Sequence, residues 1–173
     1  ATDHLIVSAG AHAYDGDITP TGSMVSAGFD FAQLDIGFRD HWYSPMTDSS
    51  ALISTQAPTM PSITLSNYRP LTALGLHYEL FLAEMSKQEG IRYQGGTTNG
   101  RPRLTGVQLG MEPVSGYAVS INRVFQYGGG ARGYGGLSGF LDAIYENSNQ
   151  ADDGTEEEFG NQVGALTTSI LFP

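Results

Sequence analysis

Cysteine is absent from the 173 residues, which removes disulfide frameworks and thiolate metal centres from consideration. Long apolar runs are missing as well: no stretch of about 18 apolar residues occurs, so no membrane-spanning helix is expected. Basic residues are scarce, with 8 Lys plus Arg against 18 Asp plus Glu and a formal charge of −10. That balance argues against a nucleic-acid partner, where affinity independent of sequence comes from neutralising phosphates. It argues equally against an anionic cytoplasmic leaflet. The opening residues Ala1-Thr2-Asp3-His4 do not form a charged segment leading into an apolar one. The expectation is therefore that a leader has been removed, or that the chain is a portion of a longer protein. None of these absences excludes membrane β-strands, which need only about 9–11 alternating residues each.

What is present is glycine, with 23 residues, accompanied by 9 Tyr and 8 Phe. Several stretches alternate with the two-residue period of a strand. Residues 5–11 are short and apolar, followed by turn material at Tyr14-Asp15-Gly16-Asp17 and Pro20-Thr21-Gly22. From Val25 onward, Val25, Ala27, Phe29 and Phe31 share a face. The phase then slips by one, so that Leu34, Ile36 and Phe38 become apolar against Gln33, Asp35, Gly37 and Arg39. Because a slip of one residue inverts the faces, a bulge or a turn is expected near Gln33. Residues 74–85 and 117–127 stand out for length, and 51–55, 62–67, 104–112 and 162–172 are shorter candidates. The total of about eight strands suits a long meander. Leu137, Phe140, Leu141, Ile144 and Tyr145 fall on one helical face and predict a short helix over 134–146, followed by an acidic exposed loop over 147–160. The whole chain reads as one unit, and the alternation fits either a soluble β-sandwich or a membrane barrel.

Motifs for catalysis are weak. Gly128-Gly129-Gly130-Ala131-Arg132-Gly133 is formally G-x-G-x-x-G, but its strand alternates and the helix begins late, unlike a dinucleotide fingerprint. The run Asp152-Asp153-Gly154 fails as an EF-hand, since Ala151 and Gly160 fall where oxygen ligands belong. His4, His12, His41 and His77 have no metal-site spacing, and no serine occupies a G-x-S-x-G elbow. The expectation is a protein without catalytic residues, metal or cofactor.

The segment Phe38-Arg39-Asp40-His41-Trp42-Tyr43-Ser44-Pro45 is more telling, because it places a cation, an anion, an imidazole and two aromatic rings at one strand end. Aromatic faces stack on the C–H surfaces of sugars, and arginine holds a carboxylate with its planar fork. Arg39, Trp42, Tyr43, Arg101, Arg103, Arg123 and Arg132 are accordingly candidate ligand contacts. An aromatic belt with a structural ion pair fits the same spacing. Arg123 interrupts an otherwise apolar face. Against lipid it would need a partner, a bulge or a place outside the apolar band.

The segment just quoted, followed by Ser49-Ser50-Ala51-Leu52-Ile53-Ser54-Thr55-Gln56-Ala57-Pro58, resembles the capsule assembly protein Wzi family. So do Leu65-Ser66-Asn67, Tyr78-Glu79-Leu80-Phe81-Leu82-Ala83 and Gly100-Arg101-Pro102-Arg103-Leu104. The same holds for Glu112-Pro113 through Asn122-Arg123 into the glycine run, and for Glu158-Phe159-Gly160-Asn161-Gln162-Val163. The resemblance implies an all-β, antiparallel transmembrane β-barrel in the cell outer membrane. It further implies a lectin-like role for capsular or exopolysaccharide, with outer-membrane lipid and other outer-membrane chains as partners. Members of that family are longer and have about eighteen strands, so this chain is expected to be a segment of such a barrel. A self-contained barrel of about eight strands fits its length as well.

Overall fold

The computed structural model describes residues 4–14, 16–44, 50, 52–53, 59–133, 141, 144–145 and 160–171. Among these the strands are β1 (Leu5–Ser8), β2 (His12–Tyr14), β3 (Asp17–Thr19), β4 (Met24–Phe29), β5 (Ala32–Arg39) and β6 (Met60–Ser66). They continue with β7 (His77–Glu84), β8 (Gln88–Tyr93), β9 (Gly96–Gly100), β10 (Arg103–Val114), β11 (Tyr117–Tyr127) and β12 (Gly160–Ile170). One antiparallel sheet of eight strands runs in the order β1-β4-β5-β6-β7-β10-β11-β12, and β2–β3 and β8–β9 are separate hairpins. The fold is all-β. The two edges, β1 and β12, are not paired with each other among the described residues.

The phase slip near Gln33 is a hairpin. Phe29 pairs with Ala32, leaving Asp30 and Phe31 as a two-residue turn. The strand expected over 74–85 starts only at His77, because the residues before it form a turn in which Leu71 bridges Leu76 and Thr72 and Gly75 adopt positive φ. Within the stretch expected as a strand at 51–55, Leu52 and Ile53 are not in a strand. They pack instead against the cluster of Tyr43, Phe81, Ala83 and Val124. The two small hairpins fall in stretches without a clear alternation. Of the helix expected over 134–146, Leu141, Ile144 and Tyr145 are helical. The rest of it, and the acidic loop up to Gly160, lie outside the described residues.

The connections sort by end. Asp30-Phe31, the turn at 67–76 and Ser115-Gly116 sit at one end of the sheet, whereas the chain leaves β1, β5, β7 and β11 and enters β4, β6, β10 and β12 at the other. β10, β11 and β12 are long, at 12, 11 and 11 residues.

Alternation divides the sheet into two unlike faces. On one, cross-strand rows read Val25–Ile36–Ile63–Leu82, Leu34–Leu65–Leu80–Val107 and Tyr78–Leu109–Ile121–Leu166. On the other they read Asp35–Thr64–Phe81–Gly106–Val124 and Gln33–Ser66–Glu79–Gln108–Asn122. Burial is the reverse of a water-soluble sheet: Ile121 is 62 % and Leu166 73 % exposed, while Thr64, Asn122 and Asp35 are buried. Thirteen polar or charged residues are buried against six apolar ones among the described residues. Among the described residues the apolar side faces no second sheet, and apart from the covered patch of Thr105, Phe125 and Tyr127 it is largely exposed.

The polar face is filled in part by the segment that follows β5. Tyr43 is fully buried and meets Phe81 edge-on, with ring centroids 5.6 Å apart. Both rings lie directly over Gly106, where a side chain would collide with Phe81 and Tyr43. Gly106 thus makes room in the sheet for the segment. We expect Gly106→Val to lower stability by about 1–3 kcal/mol through overpacking. Gly96→Ala, which meets only ordinary contact with the Tyr93 carbonyl oxygen at 3.7 Å, should stay near wild type. Thermal and denaturant unfolding of both variants checks the pair.

Candidate functional site

Midway along the polar face, where the segment after β5 folds back from the long-connection end, four charged or titratable side chains converge. Asp35 and Arg39 lie on the same side of β5 with Gly37 between them, and Gly37 has no side chain to obstruct the arginine as it leans back. Arg39 Nη1 donates to Asp35 Oδ2, and its Nη2 donates to Glu79 Oε2 at 2.8 Å. The second Glu79 oxygen accepts from His41 Nδ1 at 2.8 Å, and His41 Nε2 lies 3.3 Å from Ser62 Oγ. Gln33 Nε2 donates to the remaining Asp35 oxygen at 2.7 Å. The His41 ring stacks on Phe81, with centroids 3.7 Å apart. Burial raises the Tyr43 hydroxyl far above the usual phenol range, the Glu79 charge pushes it the same way, and Arg39 opposes them. The phenol therefore stays neutral.

Ser62, His41 and Glu79 have the contact order of a nucleophile, base and acid. Their setting differs from that of a hydrolase: Ser62 is mid-strand and buried, and its hydroxyl also lies 3.3 Å from the Gly37 carbonyl oxygen. The arrangement works as a brace. It fixes His41 and Tyr43 inside, and between them Trp42 is left 39 % exposed.

A second polar group spans β10 to β12. Gln108 Nε2 donates to Asn122 Oδ1 at 2.9 Å, and Asn122 Nδ2 donates to Thr167 Oγ1 at 3.0 Å and Ser120 Oγ at 3.1 Å. Uncharged and satisfied, it lines the polar face without the cost of buried charge.

The seven expected contact residues fall into three places. Arg39, Trp42 and Tyr43 come together in the brace, although Tyr43 is too buried to touch a ligand. Arg101 pairs with Glu84 at 3.6 Å, and Arg103 stands opposite Glu84 in the register. Near them Arg132, in a 3-10 turn over Gly130–Arg132, donates from Nη2 to the Arg92 carbonyl oxygen at 2.6 Å. Arg123 is apart, on the apolar face. It solves its own problem with partners: Nε donates to Gln162 Oε1 at 3.0 Å, Nη1 donates to the Ile144 carbonyl oxygen, and the guanidinium lies 5.7 Å from the Phe125 ring centre. No bulge is involved, since β11 keeps regular register there. Of the aromatic residues towards strand ends, Tyr117 is exposed. Tyr127 is buried beside Phe125 under Ile144, and Tyr78 donates its hydroxyl to the Phe31 carbonyl oxygen at 2.7 Å. Sequence reading missed Asp35, Glu79 and Ser62 as partners of Arg39 and His41. Their polar alternation was visible, but the register that joins them was not.

Removing Glu79 would strand Arg39 and His41. Breaking a fully buried pair costs about 3–5 kcal/mol. Arg39 keeps 27 % of its side chain exposed, so we expect about 2–3 kcal/mol for Glu79→Ala after screening. The double variant with Arg39→Ala should be less destabilised than the sum of the singles, as a double-mutant cycle will read.

Comparison with known proteins gives one match. The family model described as capsule assembly protein Wzi matches residues 11–170, which also covers the start of the chain before Gly37. No curated protein and no solved structure gives a significant match. With nearly its whole length matched, and with an antiparallel all-β structure, the chain belongs to the Wzi family of capsule assembly proteins.

Proposed function

We propose that this chain forms part of the wall of an outer-membrane β-barrel that binds or organises capsular or exopolysaccharide at the cell surface, as a lectin-like protein without catalysis or cofactor. The observation that carries the membrane half is the inverted burial, with serine, threonine, asparagine and carboxylates inside and leucine, isoleucine and valine outside. Hydrocarbon stabilises such an exterior and water does not. Strands of 11 and 12 residues reach the length that a tilted transmembrane strand requires. Phe29, Phe31, Tyr68 and Tyr117 are exposed at the short-turn end, where an aromatic girdle would sit. Outer-membrane barrels keep short turns in the periplasm and longer loops outside, so the segment that carries Trp42 enters the polar face from the surface-facing end.

The glycan half rests on the family and on Trp42. Buried neighbours on both sides hold its backbone, and the indole stays accessible for stacking on a sugar ring. The Arg39 fork is occupied by Asp35 and Glu79, so its contribution is to hold the segment that presents Trp42. The polar face also favours a second reading, a porin-like channel wall. Conductance across planar bilayers without glycan retention would support that reading.

Two results are expected. Ile121→Arg, in the middle of the apolar face, should weaken folding into bilayers by about 2–4 kcal/mol. A water-facing site would tolerate it, so an unchanged variant overturns the membrane placement. Trp42→Ala should weaken retention of the native polysaccharide about tenfold, as truncation of an aromatic contact worth about 1.4 kcal/mol does. A glycan-array or pull-down signal unmoved by that change overturns the stacking role.

A further inference from the structure

Charge along the chain is strongly segregated. Residues 84–133 hold six of the eight basic residues and only three of the eighteen acidic ones. Within that stretch, Glu84 is the last residue of β7, Arg103 is the first of β10, and the two pair across the strands. By alternation both stand on the apolar side, in line with Leu80, Leu82, Val107 and Leu109, at the long-connection end where the apolar rows stop. Arg101 approaches the same carboxylate at 3.6 Å, with 60 % of its side chain exposed. The β8–β9 hairpin rises from this connection carrying Lys87 and Arg92, both exposed. It is clamped to the glycine-rich turn: Ala131 N–H donates to Thr98 Oγ1 at 2.9 Å, and Arg132 holds the Arg92 carbonyl oxygen.

On the barrel reading given above, this end lies at the external leaflet. We propose that Arg101 and Arg103, backed by the basic hairpin, form a docking surface for the phosphate groups of an outer-leaflet glycolipid. A guanidinium offers paired N–H donors that match phosphate oxygens bidentately. Cations just above an apolar band sit where headgroup phosphates lie, and their aliphatic stems cover the boundary. Arg103 is half-buried beside the covered Tyr127, and Arg101 and Glu84 are exposed where the apolar rows end, a boundary position that favours a membrane headgroup over a hydrated polymer lying above the barrel. Glu84 pairs with Arg101 and stands across the strands from Arg103, which moderates their repulsion.

The test uses the intact protein purified from outer membrane, with purified lipopolysaccharide, the same glycolipid stripped of its phosphates, and acidic polysaccharide as probes. Wild type should retain the phosphorylated glycolipid at least tenfold better than the stripped one. Arg101→Glu with Arg103→Glu should abolish that preference and leave acidic polysaccharide retention unchanged. Should the reversal misfold, Arg101→Gln with Arg103→Gln should lower the preference severalfold. Indifference to phosphate removal, an unchanged preference in a folded variant, or a loss confined to polysaccharide overturns the proposal. A tolerated Ile121→Arg would instead signal that the membrane placement itself is wrong.

Discussion

A β-strand cannot choose its two faces independently: each residue commits its neighbours to the opposite side. In this sheet that constraint runs through eight strands, with one register shift between Met111 and Val114, so that a slip along β5 or β7 would carry Asp35 or Glu79 into the apolar rows. The Arg39–Glu79 pair, the Tyr43 ring over Gly106 and the exposed Ile121 row all follow from the same alignment. Strand pairing places Glu79 beside Ser66 and Gln108, where Arg39 and His41 both reach it.

A buried cluster of two carboxylates, a guanidinium and an imidazole is a poor source of net stability, since desolvation offsets much of the attraction. Its gain is positional. Every oxygen of Asp35 and Glu79 has a donor, so an alternative packing of the segment after β5 would leave charges stranded. The uncharged Gln108–Asn122–Thr167 group does similar work farther along the sheet with weaker penalties.

Much of this was legible from residues alone. Alternation along 117–127 names the faces of β11 correctly and singles out Arg123 as the residue that must find partners. The inversion near Gln33 marks a real reversal of the chain at Asp30 and Phe31. The β8–β9 hairpin is hidden because Gln88-Glu89-Gly90 and Thr97-Thr98-Asn99 are polar on both sides, leaving no pattern to read. The Arg39–Glu79 contact spans 40 positions, and nothing local announces which row of one strand will meet which row of another. Lumen-like polarity was readable residue by residue, whereas the burial that gives it meaning exists only after assembly.

On the barrel reading proposed above, the inward fold of the segment after β5 has a consequence for traffic. A nutrient or antibiotic travelling along the polar wall would meet two aromatic rings seated on a bare stretch of backbone, with His41 stacked on one of them. Passing that point means displacing side chains that are fully buried. On that reading the wall is hydrophilic along its length and sterically filled where the segment sits.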